Sequence, residues 1–193
     1  MITGAACVAA VALHAGPPVW IELHVDPPNA RLRVEGEVEP MRIALGLDQD
    51  RFPVLTGPDA GAATDALRAH LATRFGERSP VHVDGQRTAP EVVAIALPAE
   101  VIEDVPPVMS FDLDYPTGDE PRSVGVRWDD YDGLEYGGLT FVPLVVRAGG
   151  DLELVSLLPT EPEFTWHREG AIARAELVER VEGDAAPSRG VPA

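Results

Sequence analysis

From residue 17 to residue 168 the apolar positions recur in short alternating runs, broken by Pro and Gly. Val19–Val25 places Ile21 and Leu23 on one parity and Trp20 and Glu22 on the other. After the turn Asp-Pro-Pro-Asn, Ala30–Val38 opposes Leu32 and Val34 to Arg31, Arg33 and Glu35. Successive strand side chains point to opposite faces, so this pattern predicts a hairpin with one dry and one wet face. Met41–Leu47 continues the alternation with Ile43, Leu45 and Leu47 and reads as a further strand. Later runs are Val81–Val83, Val92–Leu97, Val108–Tyr115, Ser123–Trp128, Leu139–Arg147, Leu152–Leu158 and Glu163–His167.

One segment breaks the period. Leu67, Leu71 and Phe75 recur every four residues between Thr64 and Gly76. That spacing predicts a helix over 64–75, with Thr64 as N-cap and Gly76 just past its end. Thr56–Ala63 before it reads as a mobile loop. The expected fold is therefore mainly β, an antiparallel β-sandwich, Ig-like or an open barrel, with one inserted amphipathic helix. Trp20, Trp128 and Trp166 fall in or at the end of predicted strands and are expected to fill the core.

The ends differ from the body. Gly4–Leu13 is small, apolar and uncharged, the length of a signal-peptide core and too short for a membrane helix. Residues 1–16 therefore read as a signal peptide with Ala15 before the cleavage point, although the usual positive residues ahead of the apolar run are missing. The expected location is periplasmic, in the cell envelope or secreted, and cytoplasmic if the segment is no leader. Cys7, the single cysteine, lies in that segment, so a cleaved chain has no disulfide, thiol nucleophile or Cys-ligated zinc. Residues 17–168 form the predicted domain. In 169–193, Ala173, Leu177 and Val181 suggest a short helix before a disordered tail.

Composition then narrows the partners. The 193 residues include 15 basic side chains, all Arg, and 32 acids, a formal net charge of −17. Such a chain is repelled by nucleic acid and anionic lipid. A protein or envelope component is the expected partner, and no run of apolar residues is long enough for a membrane span.

Two constellations carry candidate chemistry. His24-x-Asp26 and His82-x-Asp84 each put an imidazole and a carboxylate on one strand face. Brought together, the four would suit a divalent transition metal. Each Asp also precedes Pro or Gly, and turn chemistry explains it without a metal. The second is an acidic stretch, Asp112, Asp114, Asp129, Asp130 and Asp132, a candidate calcium or contact loop. Its Asp130-Tyr131-Asp132-Gly133 fails as an EF-hand, because Trp128 and Leu139 stand where the first and last ligands belong. No G-x-S-x-G, H-E-x-x-H, phosphate-binding loop or dinucleotide fingerprint occurs, and no cofactor is expected.

The order VWIELHVDPPNARLRVEGEV, TDALRAHLATRF, VHVDGQRTAP, FDLDYPTGDEPRSVGVRW and PEFTWHR resembles the outside-facing amino-terminal part of hydrogenase/urease accessory (HupE/UreJ-like) membrane proteins and related secreted proteins of high-GC bacteria. The resemblance implies a β-sandwich outside the cytoplasmic membrane with a binding or accessory role. Metal transport is not expected of a chain without the family's membrane-spanning half, and no functional residue carries over. The reading is thus an exported, non-catalytic binding or structural protein. A divalent-metal-binding accessory domain is the first alternative, and a hydrolase using a carboxylate pair the second.

Arg in place of Lys follows from GC-rich codons, and an acidic, Lys-poor surface is also what a high-salt habitat selects. A melting curve from low to molar salt separates the two. A halophile's protein loses stability steeply at low salt as its acids repel unscreened. A flat curve assigns the composition to codon usage.

Overall fold

The structure, a computed structural model, describes residues 17–78 and 80–168. The expected leader, 1–16, and the expected terminal helix and tail, 169–193, lie outside the described residues. The chain is mainly β, as its alternation predicts, and sandwich-like with no closed barrel.

The opening hairpin forms as read. Strand β1 (Val19–Asp26) pairs antiparallel with β2 (Asn29–Glu37), with Asp26 opposite Asn29 and the two prolines between them. The Pro27–Pro28 bond is cis. Val19, Ile21 and Leu23 are at most 1% exposed, while Trp20, Glu22 and His24 are half-buried on the other face.

The run at Met41–Leu47 is a correction. It is not a strand; Val38–Ala44 forms a short helix, α1. Val38, Met41, Ala44 and Leu45 are buried at spacings of three and four, and Ile43 is 56% exposed. Pro40 is tolerated because it sits in the first turn, where backbone N–H groups have no helical partner. The helix stops at Gly46, whose φ of +61° admits a glycine readily. Gly46 N–H donates to Ile43 O and Leu47 N–H to Arg42 O, a Schellman closure.

The long helix, α2 (Thr64–Glu77), agrees with the four-residue spacing, and Leu67, Leu71 and Phe75 are its buried face. Its ends differ from expectation. A 3₁₀ turn, Ala60–Ala63, runs straight into it, so Thr64 is already helical rather than the cap. Gly76 lies inside the helix, and Arg78 N–H still donates to Arg74 O. The segment read as a mobile loop thus holds a helical turn with Ala60 buried. Helix α2 also finishes α1: Arg74 Nη2 donates to Ala44 O at 2.8 Å, and His70 Nε2 lies 3.1 Å from Leu45 O. Those are carbonyls that a helix C-terminus leaves without partners.

The remaining strands are β3 (Val81–Val83), β4 (Gln86–Arg87), β5 (Glu91–Ala96), β6 (Val108–Pro116), β7 (Ser123–Arg127), β8 (Glu135–Tyr136), β9 (Leu139–Thr140), β10 (Val142–Ala148), β11 (Asp151–Leu157) and β12 (Glu163–His167). The single strand expected over Leu139–Arg147 is two, because residues 139–140 fold back on 135–136 around Gly137 and Gly138. A six-stranded sheet runs β11-β10-β1-β2-β6-β5, and a four-stranded sheet runs β12-β7-β3-β4. All described pairings are antiparallel except β1 with β10, which run parallel. A parallel neighbour needs a long crossover, and the whole of β2 through β9 supplies it.

One apolar cluster joins the inner parity of both sheets to the buried faces of α1 and α2. Phe75 sits at the junction, 5.5 Å from the Phe111 ring of the large sheet and 6.4 Å from Trp128 beyond the end of β7. Trp128 is 1% exposed, and Trp166 packs against the same cluster from β12. Truncating Phe75 to Ala should cost about 3–5 kcal/mol of unfolding free energy by urea titration, since it removes the ring shared by both sheets. The exposed Leu154 on edge strand β11, changed to Ser, should move stability by no more than about 0.5 kcal/mol.

Candidate functional site

The outward face of the large sheet is a lattice of charges set by strand register. Glu22 of β1, Arg33 of β2 and Asp112 of β6 lie abreast, as do His24, Arg31 and Asp114. Arg31 grips both oxygens of Asp114 at 2.6 and 2.9 Å. Arg147 of β10 donates to Glu22 at 2.5 Å, and His24 Nε2 lies 2.9 Å from the same carboxylate oxygen. Arg33 is 2.9 Å from Glu35 and 3.9 Å from Asp112. Opposite charges directly across a ladder stabilise the pairing, so these residues organise the sheet face.

This lattice accounts for half of the candidate ligands. His24 and Asp26 border a shallow depression of about 430 Å³ with Glu22, Arg31, Arg33, Asp112 and Asp114. His82 belongs to the other sheet, and Asp84 occupies its hairpin tip. The structure therefore does not bring the two His-x-Asp pairs together. Among the described residues no group of three or more His, Cys, Asp or Glu is placed to hold a metal ion. Asp84 has a turn residue's backbone, with φ +51°, and its Oδ1 accepts the N–H groups of Arg122 and Ser123 at 2.8 and 2.9 Å. That carboxylate ties the β3–β4 hairpin to the start of β7.

The acidic stretch is divided in the same way. Asp112 and Asp114 stand in the lattice. Asp129 and Asp130 lie beyond β7, where Asp129 pairs with Arg127 at 2.9 Å and Asp130 with Arg74 at 2.5 Å. Asp132 is exposed in the following turn. The loop is thus no single acidic ring, because each of the other four faces an arginine.

A larger recess lies over the outward face of the four-stranded sheet. Its volume is about 730 Å³. Strand register builds its floor: Arg87 of β4 is opposite His82 of β3, His82 opposite Gly125 of β7, and Gly125 opposite Thr165 of β12. Glycine leaves a gap in the middle of that row. A Cβ at Gly125 would lie 3.1 Å from Thr165 Oγ1, so any side chain there would fill the pit. The last turn of α2 lines it with Arg74, Phe75 and Arg78, and the end of β7 and β12 line it with Arg127, Trp128, Asp129 and Glu163. Four of the chain's arginines converge here.

Two buried polar atoms of this recess, His82 Nδ1 and Arg74 Nε, make no hydrogen bond among the described residues. Arg127 is held above the usual guanidinium range by its bond to Asp129. Beside the rim, burial and the Asp129 charge push the Tyr131 phenol up to about 12, so it stays protonated at neutral pH.

Sequence reasoning singled out His82 but missed its company. Arg74, Arg78, Arg87 and Arg127 are spread over the end of α2, β4 and β7 and make no motif. The usable signal was the parity of β7, where Ser123, Gly125 and Arg127 share the face opposite Val124 and Val126. No protein-family model matches the chain, and no curated protein sequence matches it.

The lattice has a pH signature. Burial alone would raise the Glu22 pKa, but the Arg147 hydrogen bond and the neighbouring His24 outweigh it, and the carboxyl is held below its ordinary 4.5. A lowered folded-state pKa contributes stability above the unfolded value and loses it as pH falls through the folded value. Wild type should therefore exceed Glu22→Gln in unfolding free energy at neutral pH. The gap should begin to narrow as pH drops below about 4.5 and close as it falls through the lowered folded-state value. A gap that stays constant down to pH 3 contradicts this assignment.

Proposed function

We propose that this protein is a non-catalytic binding module acting outside the cytoplasmic membrane, in the periplasm, in the envelope or as a secreted protein, and that it holds its ligand in the recess over the small sheet. The observation that carries the reading is the glycine-floored pit of about 730 Å³ lined by the polar side chains of Arg74, Arg78, His82, Arg87, Arg127 and Thr165. Its size is that of small-ligand sites, and a few convergent polar groups over a rigid sheet are what such sites use for orientation. The export part rests on the apolar run from Gly4 to Leu13. Among the described residues no helix is long and apolar enough to cross a membrane.

The test has two arms. Expressed with a carboxy-terminal epitope, the full chain should fractionate outside the cytoplasmic membrane with its amino terminus just after Ala15. An intact Met1 in the cytoplasmic fraction removes the export reading. In a thermal-shift panel of sugars, amino acids, nucleotides and dicarboxylates, ligands should raise the wild-type melting temperature and lose that effect in Gly125→Val. Gly125→Ala serves as the milder filling if Val disturbs Thr165. Ligand shifts that survive both substitutions place binding elsewhere, and a panel without any shift removes the small-ligand reading.

A further inference from the structure

The charges of the recess do not cancel. Its three carboxylates are already committed: Asp130 to Arg74 at 2.5 Å, Asp129 to Arg127 at 2.9 Å, and Glu163 to the same Arg127 at 4.0 Å. Arg78 and Arg87 remain. Neither has a carboxylate partner among the described residues, in a chain with 32 acids against 15 arginines. Arg87 Nη1 donates to the Glu77 carbonyl, which steadies its guanidinium at the end of α2 and leaves the rest of its fork for another acceptor. Beside it His82 lines the recess, and across Gly125 stands the Thr165 hydroxyl.

We infer that the recess takes the oxyanion end of an acidic small molecule, a carboxylate or phosphate, against Arg78 and Arg87, with His82 and the Thr165 hydroxyl completing the contacts over Gly125. This rests on the recess being the binding site, and it names the chemical class of what enters it. The four arginines outnumber the three carboxylates by one, so the recess keeps a net positive charge for an anion, and the planar forks of the two arginines without ion pairs among the described residues match its oxygens in geometry. The surface as a whole is strongly negative and opposes the approach of any anion. Affinity must then come from short-range bonds in the pit, which favours a small ligand and excludes nucleic acid, whose binding needs a long run of uncompensated cations.

Calorimetric titration of the full-length protein with inorganic phosphate and, separately, with succinate tests the inference. At least one should bind wild type, and which of the two binds tighter identifies the source of the oxyanion. Arg78→Ala/Arg87→Ala should weaken binding at least tenfold, as expected for losing charge-assisted hydrogen bonds. Arg78→Lys/Arg87→Lys, which keeps the charge and loses the fork, should fall between. Circular dichroism confirms that each variant is folded. Absence of binding by either anion in wild type overturns the inference, and so does binding that the double Ala variant leaves unchanged. The failure stays separate from that of the binding module: neutral ligands that Gly125→Val displaces and Arg78→Ala/Arg87→Ala does not would leave the recess a binding site and refute only its anion.

Discussion

Everything else in this structure depends on the burial of one parity of β1, β2, β6 and β10 against Phe75 and its neighbours. Ile21, Leu23, Leu32, Val34, Leu113 and Leu144 are fully buried. They share one apolar cluster with the buried faces of α1 and α2 and the inner face of the small sheet. Phe75 is the contact that both sheets share, through Phe111 on one side and Trp128 on the other. With the two inner faces committed to a common core, both outer faces are left to charge. The recess is therefore a consequence of the packing. The last turn of α2 is pinned at the core by Phe75, and that brings Arg74 and Arg78 up beside the small sheet.

The two outer faces use the same residue types to different ends. On the large sheet the arginines sit between acids, with Arg31 facing Asp114, Arg33 near Glu35 and Asp112, and Arg147 on Glu22. Exposed pairs of this sort contribute little each and chiefly fix strand register. On the small sheet the glycine in β7 interrupts the face, and two arginines stand without acids among the described residues. A net charge of −17 suggests a uniformly acidic surface, but the structure sorts that charge into a compensated face and a local cationic recess.

The legible parts of the fold were those with a strict local period. Glu163–His167 emerges with the bounds its alternation predicts, and the four-residue spacing of Leu67, Leu71 and Phe75 gives α2 nearly to length. Met41–Leu47 failed because Ile43, Leu45 and Leu47 satisfy a two-residue period while Val38, Met41 and Ala44 satisfy a helical one. Over seven residues the two cannot be told apart, and burial against β2 and β6 selected the helix. Thr64 and Gly76 failed as caps for a similar reason. Cap chemistry permits a helix end without requiring one, and the preceding 3₁₀ turn carried the helical backbone through Thr64. The acidic stretch misled because nearness in sequence was taken for nearness in space. Asp112 and Asp114 lie on β6 of the large sheet, and the others lie in the loop that follows β7 of the small one.

From the sequence alone came the inward side of the opening hairpin, the existence of one long helix, and the sandwich-like class. These are local properties, set by the alternation of side chains along an extended chain and by their repeat around a helix. Only the tertiary structure decided which strands are neighbours, that β1 lies parallel to β10, that His24 and His82 stand on separate faces, and that Arg74, Arg78, Arg87 and Arg127 share one recess. Those outcomes rest on ladders between distant residues, such as His82 with Gly125 and Gly125 with Thr165. Hydrogen bonds between backbones carry no residue identity, so a period of two states which way a side chain points and leaves open what it meets.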